Sequence, residues 1–473
     1  MDTTADLAND ETRADALVTV TARPAVDATQ RTALAEILVM DKSLSMAGRK
    51  LDEAKRAMCA AIDTLRDGTR LGIVAGTHKA EVIYPATGGL AVVDATAKEA
   101  AKNRVAAQLA EGGTAIGQWL ACADRLFETV TAPGTVRHAV LYTDGKDEHE
   151  TPEQLGEVLK ECTDRFVCDV RGLGEDWQYK ELLRITEALH GDAQAVVTVS
   201  DLTEDFTRLI RQAQRIVVAR AYLGLHLNDW FQLAFVRQTL PVQAALTARQ
   251  QQGDEIHVPL GSWPPETRQY QVSLRFDPEA LPVEERLRAA RITLYAEGPD
   301  GTREPCSEMR PMVVQRRAAP GFPIPPPESF TRIEAEYELG LAMRACADAQ
   351  QAGDFERADR ELRIAVGLAQ DLRDAARREQ LRKVSATGPD GRLQVRRDAS
   401  RGEMQELGLA STRTAAPPVD AIDATPAPGA LRRRCPQCGE TTSAGSVAFC
   451  EACGHRLDDG ADGGTDGAPV GTS

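Results

Sequence analysis

An apolar run near the N-terminus predicts a buried strand that ends in a polar loop. Residues 33–46 read ALAEILVMDKSLSM, and Ile37, Leu38 and Val39 form the centre of the apolar part. A short continuous apolar run is typical of a central strand that is covered on both faces. A helical pattern follows, and its apolar positions Leu51 to Leu65 recur on one face. The segment therefore predicts a strand, a loop and a helix in that order.

The same alternation continues through residues 31–220 and predicts an α/β domain. Apolar strand-like runs are separated by stretches with helical periodicity, of which residues 116–130 are the clearest. Strands that alternate with helices form a mostly parallel sheet with helices on both faces, as in Rossmann-like folds. The further predicted strands are Leu71–Ala75, Glu81–Tyr84, Val136–Tyr142, Phe166–Gly172 and Ala195–Val199.

Residues 221–319 have the pattern of an antiparallel β-sandwich. In 268–276 the apolar residues Tyr270, Val272, Leu274 and Phe276 occupy every second position, which is the period of a half-buried strand. Several such runs, broken by Gly, Pro and Asp, favour a sandwich. Residues 1–30 hold one strand candidate, 16–22, which we expect to pair with this sandwich rather than with the α/β sheet.

The C-terminal third is predicted to contain smaller units joined by linkers. Residues 320–385 begin with a Pro-rich linker and continue as a helical hairpin, which we expect to pack on the sandwich. Residues 386–430 are predicted to be a linker, 431–457 a small cysteine-containing unit, and 458–473 a disordered acidic tail.

Charge and hydropathy restrict the cellular setting that we expect. The 473 residues have a formal net charge of −15, which disfavours non-specific binding to nucleic acid or to anionic lipid. No run of 18 apolar residues is present, and the acidic N-terminus lacks the apolar core of a secretory signal. We therefore expect a cytoplasmic protein without a membrane span.

Three short motifs place oxygen ligands at the ends of predicted elements. Asp41, Ser43 and Ser45 follow the first strand, Thr114 follows two glycines before a predicted helix, and Asp144 follows another strand. Ligands bind α/β sheets at the carboxyl ends of their strands. Two carboxylates and three hydroxyls make a hard, all-oxygen set that suits Mg²⁺. Such a set leaves the ion with residual positive charge, so it still seeks an anionic ligand.

These motifs, DKSLS at 41–45, GGT at 112–114 and TDG at 143–145, resemble the metal-ion-dependent adhesion site of von Willebrand factor type A (vWA) domains of bacterial cytosolic proteins. The resemblance covers residues 33–214, and one departure from many bacterial members is Leu44, where they have Gly. It implies Mg²⁺ or Mn²⁺ held directly by Ser43, Ser45 and Thr114, and through water by Asp41 and Asp144.

The resemblance also implies a protein-binding function. A partner's exposed Asp or Glu would complete the coordination of the metal. Bacterial proteins of this kind often have regulatory or assembly roles, including association with Ser/Thr kinase and phosphatase systems. We therefore expect a metal-dependent interaction scaffold and not an enzyme.

Four clustered cysteines predict a zinc site. Cys435 and Cys438 form one Cys-x-x-Cys-Gly knuckle, and Cys450 and Cys453 form the other. Four thiolates at this spacing make a closed tetrahedral Zn²⁺ site, and in so short a segment the metal must supply the folding free energy. The segment resembles a zinc ribbon.

Two other functions remain as alternatives. A nucleic-acid-associated regulator is suggested by three arginines, 432–434, directly before the ribbon, although aromatic stacking residues are lacking there. A metal-dependent hydrolase would use Asp41 as nucleophile, but Ser43 stands where a second acid would be needed. His149, beside the carboxylates of 144–150, is a weak hydrolase signal that is better explained by an exposed loop at the rim of the metal site.

Overall fold

The computed structural model describes residues 1–8, 10–23, 32–196, 201–298, 300–318, 326–389 and 391–414, together with two short strands at 433–434 and 441–442. Three strands precede the α/β domain: β1 (Asp2–Thr3), β2 (Asp6–Leu7) and β3 (Arg13–Thr21).

The α/β domain alternates strands and helices, and the predicted Rossmann-like α/β fold is confirmed. Its elements are β4 (Leu34–Asp41), α1 (Arg49–Thr64), β5 (Arg70–Gly76), β6 (Ala80–Tyr84), β7 (Ala91–Val92), α2 (Ala95–Ala106), α3 (Ile116–Glu128), β8 (Val136–Thr143), α4 (Pro152–Cys162), β9 (Val167–Leu173), α5 (Tyr179–Leu189), β10 (Ala193–Val196) and α6 (Leu202–Ala213).

The central sheet is mostly parallel, and β4 lies in its middle. The strand order is β10-β9-β8-β4-β5-β6, with β7 also paired to β5. The pairs from β10 to β5 are parallel, whereas β6 and β7 run antiparallel to β5. Every residue of β4 is buried, because Ile37 and Val39 face a core formed with α3, α4 and α5, while Leu38 and Met40 face a core formed with α1, α2 and α6.

The chain then forms two sheets that share one hydrophobic core. Their elements after the α/β domain are β11 (Val218–Leu227), β12 (Phe231–Leu240), β13 (Ala244–Leu246), β14 (Gln250–Gln252), β15 (Glu255–Trp263), β16 (Thr267–Phe276), β17 (Arg286–Glu297), β18 (Arg303–Pro305) and β19 (Arg310–Arg316). One sheet has the order β1-β3-β16-β12-β13, and the other has β14-β15-β11-β17-β19-β2 with β18 beside β17. The N-terminal β3 is antiparallel to β16, with Val18 opposite Tyr270.

The remaining described elements form a helical unit. They are α7 (Glu328–Gln351), α8 (Phe355–Asp371), α9 (Ala375–Val384), β20 (Ser385–Thr387), β21 (Leu393–Val395) and α10 (Arg401–Ala410). The sequence interpretation treated 386–430 as a linker, and the structure differs for residues 391–414. Helix α10 begins at a capping box of Ser400 and Glu403 and buries Met404 and Leu407 in the same core as α7 and α8. Its three core residues, Met404, Leu407 and Ala410, are too few to produce a recognisable helical period.

The helical unit also contacts the other two parts of the chain. The Tyr179 hydroxyl at the start of α5 donates to Asp348 of α7 at 2.8 Å, and Arg237 of β12 pairs with Glu334 of α7 at 2.9 Å. Helix α7 is therefore held against both the α/β domain and the sheet that contains β12.

Two strands, β22 (Arg433–Arg434) and β23 (Thr441–Thr442), pair antiparallel near the C-terminus. The predicted zinc ligands Cys435, Cys438, Cys450 and Cys453 and the acidic tail lie outside the described residues. Within the described part of the chain, none of the helices has the length and apolar composition needed to cross a membrane.

Candidate metal centre

The oxygen ligands predicted from the sequence come together at one edge of the central sheet. Strands β4 and β8 are parallel neighbours, so Asp41 at the end of β4 and Asp144 directly after β8 lie at the same edge. The loop before α3 reaches this edge through backbone hydrogen bonds, in which Leu44 donates to Gly112 at 3.0 Å and Glu111 donates to Lys42 at 2.8 Å.

Asp41 is fully buried and held from two sides. Its Oδ1 accepts the Ser43 amide at 2.8 Å, and its Oδ2 accepts the Thr143 hydroxyl at 2.6 Å. Burial raises the pKa of Asp41 to about 6, although the hydrogen bonds from Thr143 and Ser43 act in the opposite direction. The carboxylate is therefore oriented before any ligand binds, and it retains lone pairs for one.

A chain of short oxygen contacts joins three of the other predicted ligands. The hydroxyls of Ser43 and Ser45 are 2.9 Å apart, and the Ser45 hydroxyl donates to Asp144 Oδ1 at 2.6 Å. Thr114 is adjacent, since a Cβ atom on Gly145 would lie 3.6 Å from the Thr114 hydroxyl and 3.8 Å from the Ser45 hydroxyl. Ser43, Thr114 and Asp144 are buried, whereas Ser45 is exposed, so the cluster opens to solvent on one side.

An ammonium group, which the sequence interpretation missed, also reaches the cluster. Lys50 in the first turn of α1 places Nζ 2.5 Å from Asp144 Oδ2, while the Asp144 side chain is fully buried. No sequence signal could have identified this contact, because Lys50 and Asp144 are separated by 94 positions.

Two imidazole rings pack against the diglycine before Thr114. A Cβ atom on Gly112 would lie 2.7 Å from His78, and one on Gly113 would lie 2.1 Å from His149, so neither position can carry a side chain unless the ring moves. Gly112 also has a φ of +67°, which favours glycine. The diglycine therefore serves close packing as well as the turn.

Two carboxylates of the loop after Asp144 cap helix α3. Asp147 accepts the Ile116 amide at 3.0 Å, and Glu150 accepts the Gly117 amide at 2.6 Å. Partial burial raises the pKa of Asp147 to about 7, and the neighbouring Glu150 contributes to that rise. Asp147 and Glu150 are thus half-buried helix caps, although the sequence interpretation assigned the whole loop to solvent.

The donor set fits a hard divalent cation better than a soft one. All five predicted ligands offer oxygen, and three of them are neutral hydroxyls, which suits Mg²⁺ or Mn²⁺. No cluster of three or more His, Cys, Asp and Glu side chains with metal-binding geometry occurs in the described ranges. The predicted set is not such a cluster, because it contains two carboxylates and its other three ligands are hydroxyls.

The fold and this edge cluster define an α/β domain of the vWA class. The family described as von Willebrand factor type A domain matches residues 36–195. A solved structure, von Willebrand factor type A from Catenulispora acidiphila, is 31% identical, with a TM-score of 0.80, and the match covers 87% of this chain and 95% of that one. The chain therefore belongs to the von Willebrand factor type A family.

A relative of similar length is found in a cyanobacterium. The uncharacterized protein sll0103 of Synechocystis sp. is 26% identical over 408 residues, which cover 84% of this chain and 92% of that protein. The similarity to both relatives thus extends well beyond the α/β domain.

Proposed function

We propose that this protein is a metal-dependent protein-binding scaffold that holds a partner through Mg²⁺ or Mn²⁺ at the edge of the α/β sheet. Ser43, Ser45 and Thr114 would contact the ion directly, and Asp41 and Asp144 would hold it through water. The ion supplies a positive charge with an open coordination position, which an Asp or Glu side chain of the partner fills.

The observation that carries this proposal is the convergence of Ser43, Ser45 and Asp144 oxygens in front of a buried, pre-oriented Asp41. Buried carboxylates are costly unless they are paired or coordinate a metal. The geometry thus resembles a cation site more than a packed core. vWA domains commonly serve as protein-interaction modules, which agrees with a role in recognition rather than catalysis.

The proposal extends to the setting of the protein. The two antiparallel sheets, as a sandwich, and the helical hairpin would offer further contact surfaces, and a zinc ribbon at Cys435, Cys438, Cys450 and Cys453 would serve docking or structure. The partner would belong to a cytoplasmic regulatory or assembly system, such as one that contains Ser/Thr kinases or phosphatases. No specific observation among the described residues favours the nucleic-acid or hydrolase alternative.

Calorimetry with MgCl₂ and MnCl₂ tests the metal site. We expect binding to the wild-type chain, loss of binding in Asp41→Ala, and unchanged binding in Asp52→Ala. Asp52 is an exposed carboxylate in the first turn of α1, so its replacement removes the same charge without touching the cluster. Equal affinity in the wild type and Asp41→Ala would exclude the site.

Capture of partners tests the function itself. The immobilised wild-type chain is expected to retain a protein in Mg²⁺ and to release it in EDTA, and Asp41→Ala should fail to retain it. Mutation of the exposed Asp and Glu residues of the captured protein should then identify one whose loss abolishes binding. Retention that EDTA leaves unchanged would contradict the metal-dependent mode.

A further inference from the structure

Two groups of the protein itself contact the carboxylate of Asp144, one on each oxygen. Its Oδ1 accepts the Ser45 hydroxyl at 2.6 Å, and its Oδ2 contacts the Lys50 ammonium at 2.5 Å. Hydrogen bonds between ionised partners are short and are roughly twice as strong as neutral ones. Lys50 therefore holds an oxygen that a cation in this cluster would also use.

The two carboxylates of the cluster differ in whether a positive charge lies beside them. Asp144 is fully buried and paired with Lys50, whereas Asp41 is fully buried and forms no ion pair with any described side chain. An uncompensated buried charge is strongly destabilising. The ammonium thus neutralises one of the two negative charges when no metal is bound.

The position of Lys50 allows its ammonium to move away from Asp144. The side chain is 32% exposed, and it sits on a flexible stem in the first turn of α1. On its other side lies Gly174 after β9, where a Cβ atom would be 3.9 Å from Lys50 Nζ. The ammonium can therefore swing toward solvent without disturbing the core.

We propose that Lys50 is a tethered internal cation that competes with the divalent metal for Asp144. This inference rests on the proposed metal site and adds a residue that sets its affinity. A divalent ion among the same oxygens repels the ammonium, so binding of the ion must release Lys50 from Asp144. Lys50 stabilises the metal-free protein and weakens metal binding by the cost of that release.

Calorimetry with MnCl₂ on the full chain tests the competition. Lys50→Met is expected to bind Mn²⁺ about tenfold more tightly than the wild type, which corresponds to about 1.4 kcal/mol. Lys50→Arg keeps the charge and should remain near the wild-type affinity. Lys55→Met is the matched control, because Lys55 lies on the same helix and donates to the Ala106 carbonyl rather than to Asp144.

Two further measurements do not depend on metal affinity. In EDTA, Lys50→Met should unfold at a lower temperature than Lys55→Met, because Asp144 has lost its counter-ion. In the wild type, labelling of amines followed by mass spectrometry should show faster modification of Lys50 in Mn²⁺ than in EDTA, with Lys55 unchanged. The labelling experiment remains informative if Lys50→Met fails to fold.

The outcomes separate this inference from the proposed function. If the wild type binds Mn²⁺ and Lys50→Met binds it equally or more weakly, the competition is wrong while the metal site stands. If neither protein binds Mn²⁺, both proposals fail. Slower labelling of Lys50 in Mn²⁺ would also overturn the competition, because it would mean that the metal holds the ammonium in place.

Discussion

Replacement of Asp41 by Asn should stabilise the metal-free protein although it removes a carboxylate from the centre of the site. Ionised Asp41 is costly in the fold, because burial raises its pKa from 3.8 to about 6. Each tenfold change in a protonation equilibrium corresponds to 1.36 kcal/mol, so the ionised form costs roughly 3 kcal/mol near pH 8. Asn avoids this cost because it is neutral.

The hydrogen bonds of Asp41 can largely survive the change. The Asn carbonyl can accept the Ser43 amide, and the Asn amide can donate to Thr143 Oγ1. The Thr143 hydroxyl is then free to donate to the Gly145 carbonyl, which already lies 3.2 Å away. We therefore expect a net gain of about 1–3 kcal/mol in the free energy of unfolding in EDTA at pH 8.

The pH dependence has a defined sign. A carboxyl group with a raised folded-state pKa binds its proton more tightly in the folded protein, so its penalty is relieved as the pH falls through about 6 toward 3.8. Between pH 8 and pH 5 the wild type should gain about 1.4 kcal/mol relative to Asp41→Asn. Mg²⁺ at 1,000 times its Kd should reverse the order, because a ligand at that concentration stabilises the wild type by about 4.1 kcal/mol and the variant lacks this gain.

Hydrogen exchange measured by mass spectrometry is the suitable assay, because it reports the opening of β4 and β8 separately from the other parts of the chain. Peptides from these two strands should exchange more slowly in Asp41→Asn than in the wild type at pH 8 in EDTA. Faster exchange in the variant, or the same pH dependence in both proteins after correction for intrinsic rates, would refute the reasoning.

Two further predictions concern charged groups near the sheet edges. At the opposite edge of the sheet, His138 contacts Glu36 at 2.9 Å and Asp169 at 3.1 Å. Burial lowers the pKa of His138, but the two carboxylates have the larger effect and raise this pKa to about 10. His138→Gln should therefore lower the free energy of unfolding by about 3–5 kcal/mol at pH 6, and by less as the pH approaches 10. The Mg²⁺ affinity should not change. Urea unfolding of the variant that equals that of the wild type at pH 6 would contradict this prediction. The pKa of Asp147 is raised to about 7 by burial and by Glu150, so the wild type should become more stable as the pH falls from 8 to 6 in EDTA. Asp147→Asn should weaken that trend in thermal unfolding. Unfolding temperatures of the two proteins that change in parallel with pH would contradict this prediction.

The α/β domain was largely predictable because its signals are local. The apolar run of β4 is buried on both faces, as its continuous hydrophobicity indicated. The apolar residues that recur with helical periodicity in α3, such as Trp119, Leu120 and Phe127, are likewise buried. The carboxyl ends of parallel strands lie at one edge, so Asp41 and Asp144 were expected at the same edge, and the pairing of β4 with β8 brings them close.

Other features were not predictable because they depend on contacts between distant segments. Helix α10 has a short apolar pattern and is recognisable only from its packing against α7 and α9. The loop after Asp144 reads as an exposed acidic stretch, yet Asp147 and Glu150 are turned toward the amides at the start of α3.

The sequence by itself determined which oxygen-bearing residues would stand at the edge of the sheet, because hydrophobic periodicity defines the strands and each motif directly follows a strand or precedes a helix. Only the tertiary structure decided the electrostatic state of those residues. It buries Asp41 without a counter-ion among the described side chains and brings the ammonium of Lys50 to Asp144. The free energy of a charge depends on its burial and on neighbours that are remote in sequence, and neither can be read from a local pattern.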